Sequence, residues 1–383
     1  MASLQTLAAT VLTSAGLRGA RRAMASLPRR LTGRTPVIQY FHDPADPYSR
    51  LTLQVLPALA ATYRVQIKGW RVAPPDEAAA PERERLAGWS ERDAALVAQA
   101  RGLVWPAPDG AEAFSEDGTA LRAKLGHYLG ATFFYEGEWY WGVDRLHFLE
   151  NRLIAAGLRR PGRTAMVAPL LDMTGEGGVP QPGAPRPVLH FFGSLRSPYT
   201  YIAAARARHL AEAFGAELRL RPVLPMVMRG LPVPREKRFY IMLDTKREAE
   251  RLGMAFGKIA DPVGPGAERG LAVLHHAIDA GKGSALIESF LSAVWAEGID
   301  AATDEGLATI ADRAGVSEVE VAAALADPSW RARVEANREE MFGRGLWGVP
   351  SFRVNEGTMH WGQDRLWAVE NDLRAALAPA TAT

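Results

Sequence analysis

Glu136-Gly137-Glu138-Trp139-Tyr140-Trp141-Gly142-Val143-Asp144-Arg145-Leu146 returns later in the chain as Glu356-Gly357-Thr358-Met359-His360-Trp361-Gly362-Gln363-Asp364-Arg365-Leu366. Glu-Asn follows both, as Glu150-Asn151 and Glu370-Asn371, so nine residues coincide at matching offsets. Internal similarity is settled first because a missed repeat misassigns every element built on it. The starts correspond as well: Val37-Ile38-Gln39-Tyr40-Phe41 runs into Asp46-Pro47-Tyr48-Ser49, and Val188-Leu189-His190-Phe191-Phe192 into Ser197-Pro198-Tyr199-Thr200. The chain reads as a tandem duplication.

Working outward, each copy opens with a short β-type run, turns through a proline and continues as an Ala/Leu-rich helical pattern, 51–62 and 201–214. A second strand follows, 63–72 and 217–223, which predicts a βαβ unit with a parallel pair. Each copy closes with a hairpin, 133–141 and 351–361, and a last helix from Asp144 and Asp364. That order is the thioredoxin one, so the expected class is α/β with two thioredoxin-like domains. Residues 159–187 are crowded with Pro and Gly, the composition of a linker. The expected organisation is an arm over 1–35, a first domain over 36–158, a linker over 159–186 and a second domain over 187–378. The copies differ in the middle. Residues 268–342 read as amphipathic helices at 270–280, 285–297, 303–314, 318–326 and 329–342, whereas the shorter first copy reads as loop over 106–118. Only the second copy thus has an all-helical insertion able to roof a cleft, which places the expected active site there.

With 383 residues and a hydrophobic share of 48%, the composition is globular and large enough for two or three domains. A balance of 45 basic to 43 acidic side chains argues against a nucleic-acid binder, which must neutralise many phosphates. No stretch is long and apolar enough to span a bilayer. Cysteine is absent, so the chain's own residues supply no disulfide, thiolate ligand or dithiol pair, and any thiol chemistry needs a borrowed thiol. The six arginines Arg18, Arg21, Arg22, Arg29, Arg30 and Arg34 precede the first acid, Asp43. This arm reads as a mobile or loosely docked amphipathic segment of a cytoplasmic protein, with a transit peptide or a lipid-surface contact as alternatives.

Ser197-Pro198-Tyr199-Thr200-Tyr201, Arg221-Pro222-Val223-Leu224, Val294-Trp295-Ala296-Glu297-Gly298, Gly348-Val349-Pro350-Ser351-Phe352 and Trp361-Gly362-Gln363-Asp364-Arg365-Leu366 occur in that order in the second half. Residues 187–377 so resemble the 2-hydroxychromene-2-carboxylate isomerases and the related kappa-class glutathione transferases, DsbA-like thioredoxin folds with a helical insertion. The first half, 36–158, resembles the same fold with most of the insertion lost. By its residues alone, Ser197 before Pro198 is an N-cap with proline at the first helical position. The resemblance implies in addition that its hydroxyl contacts the sulfur of glutathione at the positive end of that helix. It further implies that Val349 before a cis Pro350 holds glutathione through its backbone, that Gln363 and Asp364 bind the γ-glutamyl end, and that Lys237 binds the glycine end. Arg229 falls near a basic residue associated with substrate. By their residues alone, Gln363-Asp364 also read as a helix cap and Lys237 as a solvated helix-face charge.

The repeat acts as an internal control. The first copy keeps Gly142-Val143-Asp144-Arg145, yet has Asp46 in the place of Ser197 and Gly130 in the place of Pro350. An acid there would repel a thiolate, so this copy reads as degenerate. Two departures from the family pattern touch the substrate side: no Asn lies between Arg221 and Tyr240, and 261–266 reads Asp-Pro-Val-Gly-Pro-Gly. His190 lies in an apolar strand, and His275-His276 are adjacent on a helix and diverge by about 100°, so no metal is expected. Trp139, Tyr140 and Trp141 read as hairpin packing. The function expected is a glutathione-dependent isomerase or transferase of small aromatic or conjugated carbonyl compounds, with a non-catalytic thioredoxin-like scaffold as the alternative. Single-copy relatives often dimerise, so a monomeric pseudo-dimer is expected.

Overall fold

The computed structural model describes residues 4–178 and 185–378, so 179–184 of the linker lie outside the described residues. Strand β1 (Val37–His42) pairs in parallel with β2 (Gln66–Arg71), Val37 opposite Gln66 and His42 opposite Arg71. On its other edge β1 pairs antiparallel with β3 (Thr132–Tyr135), and β3 with β4 (Glu138–Trp141), giving the order β2-β1-β3-β4. The second sheet repeats this order. Its β5 (Val188–Gly193) lies parallel to β6 (Glu217–Pro222) and antiparallel to β7 (Ser351–Val354), which pairs with β8 (Met359–Trp361), so the order is β6-β5-β7-β8.

Consecutive residues of β1 and β5 are buried, so both faces of these central strands are covered, which is why they read as near-continuous apolar runs. Phe191 and Phe352 stack across the β5/β7 pair at 5.1 Å. They are buried with Ile202, Leu210, Leu271, Phe290, Leu366 and Val369 in one core. A separate core under the first sheet is built on Ile38, Tyr40, Phe133, Tyr140, Leu146 and Leu149. Each fully buried side chain of this size contributes about 2–3 kcal/mol.

The crossovers show why local sequence matters. After β5, Pro198–Ala213 is one unbroken helix, capped by Ser197. After β1 the corresponding stretch splits into Pro47–Leu53 and Leu56–Thr62, with Pro57 near the start of the second piece. Proline is favoured in a first turn and disfavoured further in, so Pro57 starts a second helix where the Ala/Leu pattern predicts a single one.

The insertion consists of helices Pro265–Asp279, Gly283–Ser292, Asp304–Arg313, Glu318–Ala326 and Trp330–Gly343, with a π-turn at Ala293–Glu297. The helix Arg235–Arg251 and, in the N-terminal half, Arg83–Arg101 are not anticipated by pattern, because dense charge hides the periodicity. By contact the chain divides into two units. One comprises Met1–Ser14, Asp172–Pro232 and Ile241–Thr383, and the other Ala15–Leu171 and Val233–Tyr240.

In place of a loose arm, the N-terminus forms helices Leu4–Leu12 and Ala15–Thr32. Thr6 donates its hydroxyl to the Ile259 carbonyl at 2.9 Å. Arg22 grips Glu138 through two hydrogen bonds of 2.9 and 2.8 Å, and Arg29 pairs with Glu136 at 2.6 Å. Arginine's planar fork matches a carboxylate, which is what converts an arginine-rich segment into a docked helix.

Candidate active site

Ser197 ends the turn after β5 and caps the helix Pro198–Ala213, its Oγ accepting from the Thr200 N–H at 3.2 Å. A helix of 16 residues presents unpaired N–H groups and the positive end of its dipole at this point. Ser197 is half-buried. The same Oγ lies 3.5 Å from the Val349 carbonyl oxygen. The Val349-Pro350 peptide is cis, as the resemblance implied against the ordinary preference of X-Pro bonds for trans.

The turn at Val349-Pro350 and the segment Gly362-Gln363-Asp364 meet through the sheet. Ser351 pairs with Trp361, and the Gly362 N–H donates to the Pro350 carbonyl at 2.9 Å. Gly362 has φ +111°, and a Cβ there would fall 2.3 Å from Asp364 Oδ1, so only glycine admits this turn. Ser197, Val349, Pro350, Gln363 and Asp364 are therefore brought to one end of the C-terminal sheet.

Gln363 is buried, its Oε1 accepting from Arg206 Nη1 at 2.8 Å, and its Nε2 has no hydrogen-bond partner among the described residues. Arg206 also contacts Asp172, which takes Arg251 at 2.7 Å. The side chain of Gln363 is thus tied to the middle of the leading helix by an ionic chain. Asp364 is half-buried, with Arg365 Nη1 3.8 Å from its carboxylate.

Arg229 lies on the short turn Met226–Arg229 beyond β6. Because β5 and β6 are parallel, this turn leaves the sheet from the same end as Ser197. Its guanidinium stands 5.5 Å from the Phe342 ring centre. Lys237 belongs by contact to the unit that contains β1, and its Nζ donates to the Ala79 carbonyl at 3.0 Å. Burial lowers that ammonium to about 8.

Sequence reasoning missed two features here. Arg196, next to Ser197, holds Asp261 through two hydrogen bonds of 2.6 Å, which fastens the 261–266 segment beside the cap. Tyr199, the second residue of the helix, donates to the fully buried Asp244 at 2.8 Å, and Arg247 holds the other oxygen at 2.9 Å. The second has a counterpart in the N-terminal half, where Tyr48 donates to Asp93 at 2.8 Å with the same spacing. Both pairs are 45 residues apart in sequence.

In the N-terminal sheet the counterpart of Ser197 is Asp46, which caps its helix by accepting from Tyr48 N at 3.2 Å and Ser49 N at 3.0 Å. Burial, and then the charge of Asp43, raises its carboxyl to about 6. The register corrects one correspondence. Thr132 faces Phe41 as Ser351 faces Phe192, so Ala131 matches Pro350 and Gly130 matches Val349, one residue from the expected pairing of Gly130 with Pro350. The Gly142 N–H donates to Ala131 at 2.7 Å, as Gly362 does to Pro350. A Cβ on Gly130 would lie 2.6 Å from the Asp43 Cβ and 2.7 Å from the Ser49 Oγ, so a side chain has no room there.

The histidines take structural places. His190, buried on β5 between Arg219 and Arg353, has its imidazole lowered to about 4 by burial and by the charges of Arg353 and Arg221. His275 contacts the Leu271 carbonyl at 2.9 Å. Among the described residues no three His, Asp or Glu side chains are grouped to hold a metal ion. Trp139 donates to the Leu125 carbonyl at 3.0 Å and packs on Phe41, and Tyr140 lies in the core.

Residues 188–374 match the family model of the DSBA-like thioredoxin domain. The C-terminal half is therefore a DsbA-like thioredoxin domain carrying a helical insertion. The chain is 23% identical to 2-hydroxychromene-2-carboxylate isomerase of Pseudomonas putida over 192 residues, which covers 48% of this chain and 93% of that protein. The solved structure of 2-hydroxychromene-2-carboxylate isomerase is similar at 21% identity and a TM-score of 0.43, covering 50% of this chain and 100% of the other. The cytosolic disulfide reductase DsbM from Pseudomonas aeruginosa, solved with GSH, is similar at 21% identity and a TM-score of 0.36, covering 50% and 96%.

Proposed function

We propose that the C-terminal domain is a glutathione-dependent isomerase acting on small aromatic or conjugated carbonyl compounds, with transfer of glutathione to such compounds as the neighbouring possibility. The observation that carries this reading is the half-buried Ser197 hydroxyl, set between a helix N-terminus and the cis Val349-Pro350 turn in a chain without cysteine. A borrowed thiol placed there meets a hydroxyl donor and the positive end of a dipole, the two features that keep a thiolate ionised near neutral pH.

The residues present fit glutathione at two of its ends. Its peptide backbone would run beside Val349 as an added strand. The γ-glutamyl end would meet Asp364, whose carboxylate suits an ammonium, and the buried Nε2 of Gln363, a donor without a partner that suits a carboxylate. Lys237 is not part of this proposal, since its ammonium is engaged with Ala79. Arg229 would hold an acidic group of the substrate, from its place at the same end of the sheet.

Bound glutathione would supply a nucleophilic sulfur that adds to a conjugated carbon and leaves again, so that a double bond is free to rotate meanwhile. Ser197 holds the sulfur as anion and orients it. The insertion helices exclude water from the apolar substrate. Arg196 and Asp261 fix the loop beside the cap, so that Ser197 keeps its position through turnover. We read the N-terminal sheet as the degenerate member of a duplication, since its cap is Asp46 and Gly130 closes on Asp43.

The test is calorimetric titration of glutathione into the wild type and Ser197→Ala, with the far-ultraviolet thiolate absorbance followed in parallel. Binding with a thiolate signal in the wild type, and a weakened signal in the variant, is the expected outcome. No binding at millimolar glutathione removes the proposal. Binding without thiol ionisation leaves a thioredoxin-like binding scaffold.

A further inference from the structure

The helix Ala15–Thr32 is docked with its polar side inward. At 100° per residue, Arg22, Ser26 and Arg29 share one face of it. Arg22 grips Glu138, Arg29 pairs with Glu136, and Ser26 is 4% exposed. The opposite face is apolar and turned to solvent: Met24 is 70% exposed, Leu27 52% and Leu31 77%. With Ala20 these recur at helical spacing and form a stripe about 16 Å long. Exposed Arg21 and Arg30 stand about 90° to either side of its centre. No acidic residue precedes Asp43, so this face carries positive charge alone.

We propose that this face of the helix docks on the surface of an anionic bilayer, lying in the interface with Met24, Leu27 and Leu31 among the acyl chains and Arg21 and Arg30 at the level of the phosphates. An apolar strip with cations along both borders matches a plane that is apolar below and negative at its rim. A second copy of this chain fits poorly, because two such strips meeting face to face bring their arginine borders together. A groove-binding acidic peptide fits less well than a plane, because the strip lies on the convex surface of a helix and is not recessed. No described helix is long and apolar enough to cross a membrane, so the contact is peripheral.

The experiment is co-sedimentation of the full chain with phosphatidylcholine vesicles, with and without phosphatidylglycerol. Two variants that touch exposed side chains only are compared, Leu27→Ser with Leu31→Ser and Arg21→Ala with Arg30→Ala. Circular dichroism confirms the fold of each. The wild type should partition into the anionic vesicles and not the neutral ones. The arginine pair should weaken partitioning about thirty-fold, and the leucine pair roughly a hundred-fold. The proposal is overturned by absence of binding to anionic vesicles or by equal binding of wild type and both variants. It is equally overturned by self-association in size-exclusion chromatography that the leucine pair abolishes, or by competition from an acidic peptide that binds the helix more tightly than the vesicles do.

Discussion

Ser197 and Asp46 do the same structural work with different charges. Each closes the N-terminus of the first helix after a central strand, and each accepts a backbone N–H two or three residues ahead. Ser197→Asp should therefore keep the cap, with stability within about 1 kcal/mol of the wild type in chemical denaturation. It should abolish the glutathione thiolate signal, because a carboxylate at the helix end repels the sulfur. Ser197→Ala should instead cost about 1 kcal/mol of stability. Two buried groups give opposite pH dependences. Asp46, raised to about 6 from 3.8, holds its proton more tightly when folded, so its contribution is complete below about 4 and is lost as pH rises to about 6. His190, lowered to about 4 from 6.5, prefers the neutral form when folded, so its contribution is complete above about 6.5 and is lost as pH falls. Thermal midpoints measured against pH should show Asp46→Asn removing a decline with pH and His190→Gln removing a rise.

Among the elements, the helix Pro198–Ala213 is fixed at three points along its length. Ser197 caps its start, Tyr199 reaches Asp244 and Arg206 reaches Gln363 and Asp172. Asp244 is fully buried, so removing the Tyr199 hydroxyl takes a hydrogen bond away from a buried carboxylate. Tyr199→Phe should destabilise the C-terminal domain by about 1–3 kcal/mol in denaturant unfolding, and Tyr48→Phe should act similarly through Asp93. The Glu-Asn of the repeated motif has an equally concrete use. Glu370 accepts from the Thr174 N–H at 2.7 Å and its hydroxyl at 2.6 Å, and Glu150 accepts from Val167 at 2.7 Å and Ala168 at 2.9 Å. Both anchor the stretch between the helix Gly142–Ala155 and β5, Glu150 from the helix before it and Glu370 from the helix Leu366–Leu377. This use accounts for a glutamate at both positions, including the half that has Asp46 in the place of Ser197.

For the whole molecule, the two sheets close over cores that share no residue. Phe352→Ala and Phe133→Ala each open a cavity in a fully buried position, at a cost of about 3–5 kcal/mol. Scanning calorimetry should show each substitution shifting a different part of the unfolding transition. Glutathione should raise the part shifted by Phe352→Ala and leave the other unmoved, by linkage to the state that binds it.

By itself the sequence determined the strands, the hairpins, the Ser-Pro start of the helix after β5 and the recurrence of one motif in two halves. These are encoded within a few neighbouring residues, as a period of two, a period near four or a cap, and local sterics and hydrogen bonding realise them wherever they occur. Only the tertiary structure decided the rest of the site. Lys237 donates to the Ala79 carbonyl, Gln363 is held by Arg206 from another helix, and Asp261 is drawn to Arg196 across 65 residues. Such pairings depend on which distant side chains packing brings within 3 Å or so, a property that no local window of sequence contains.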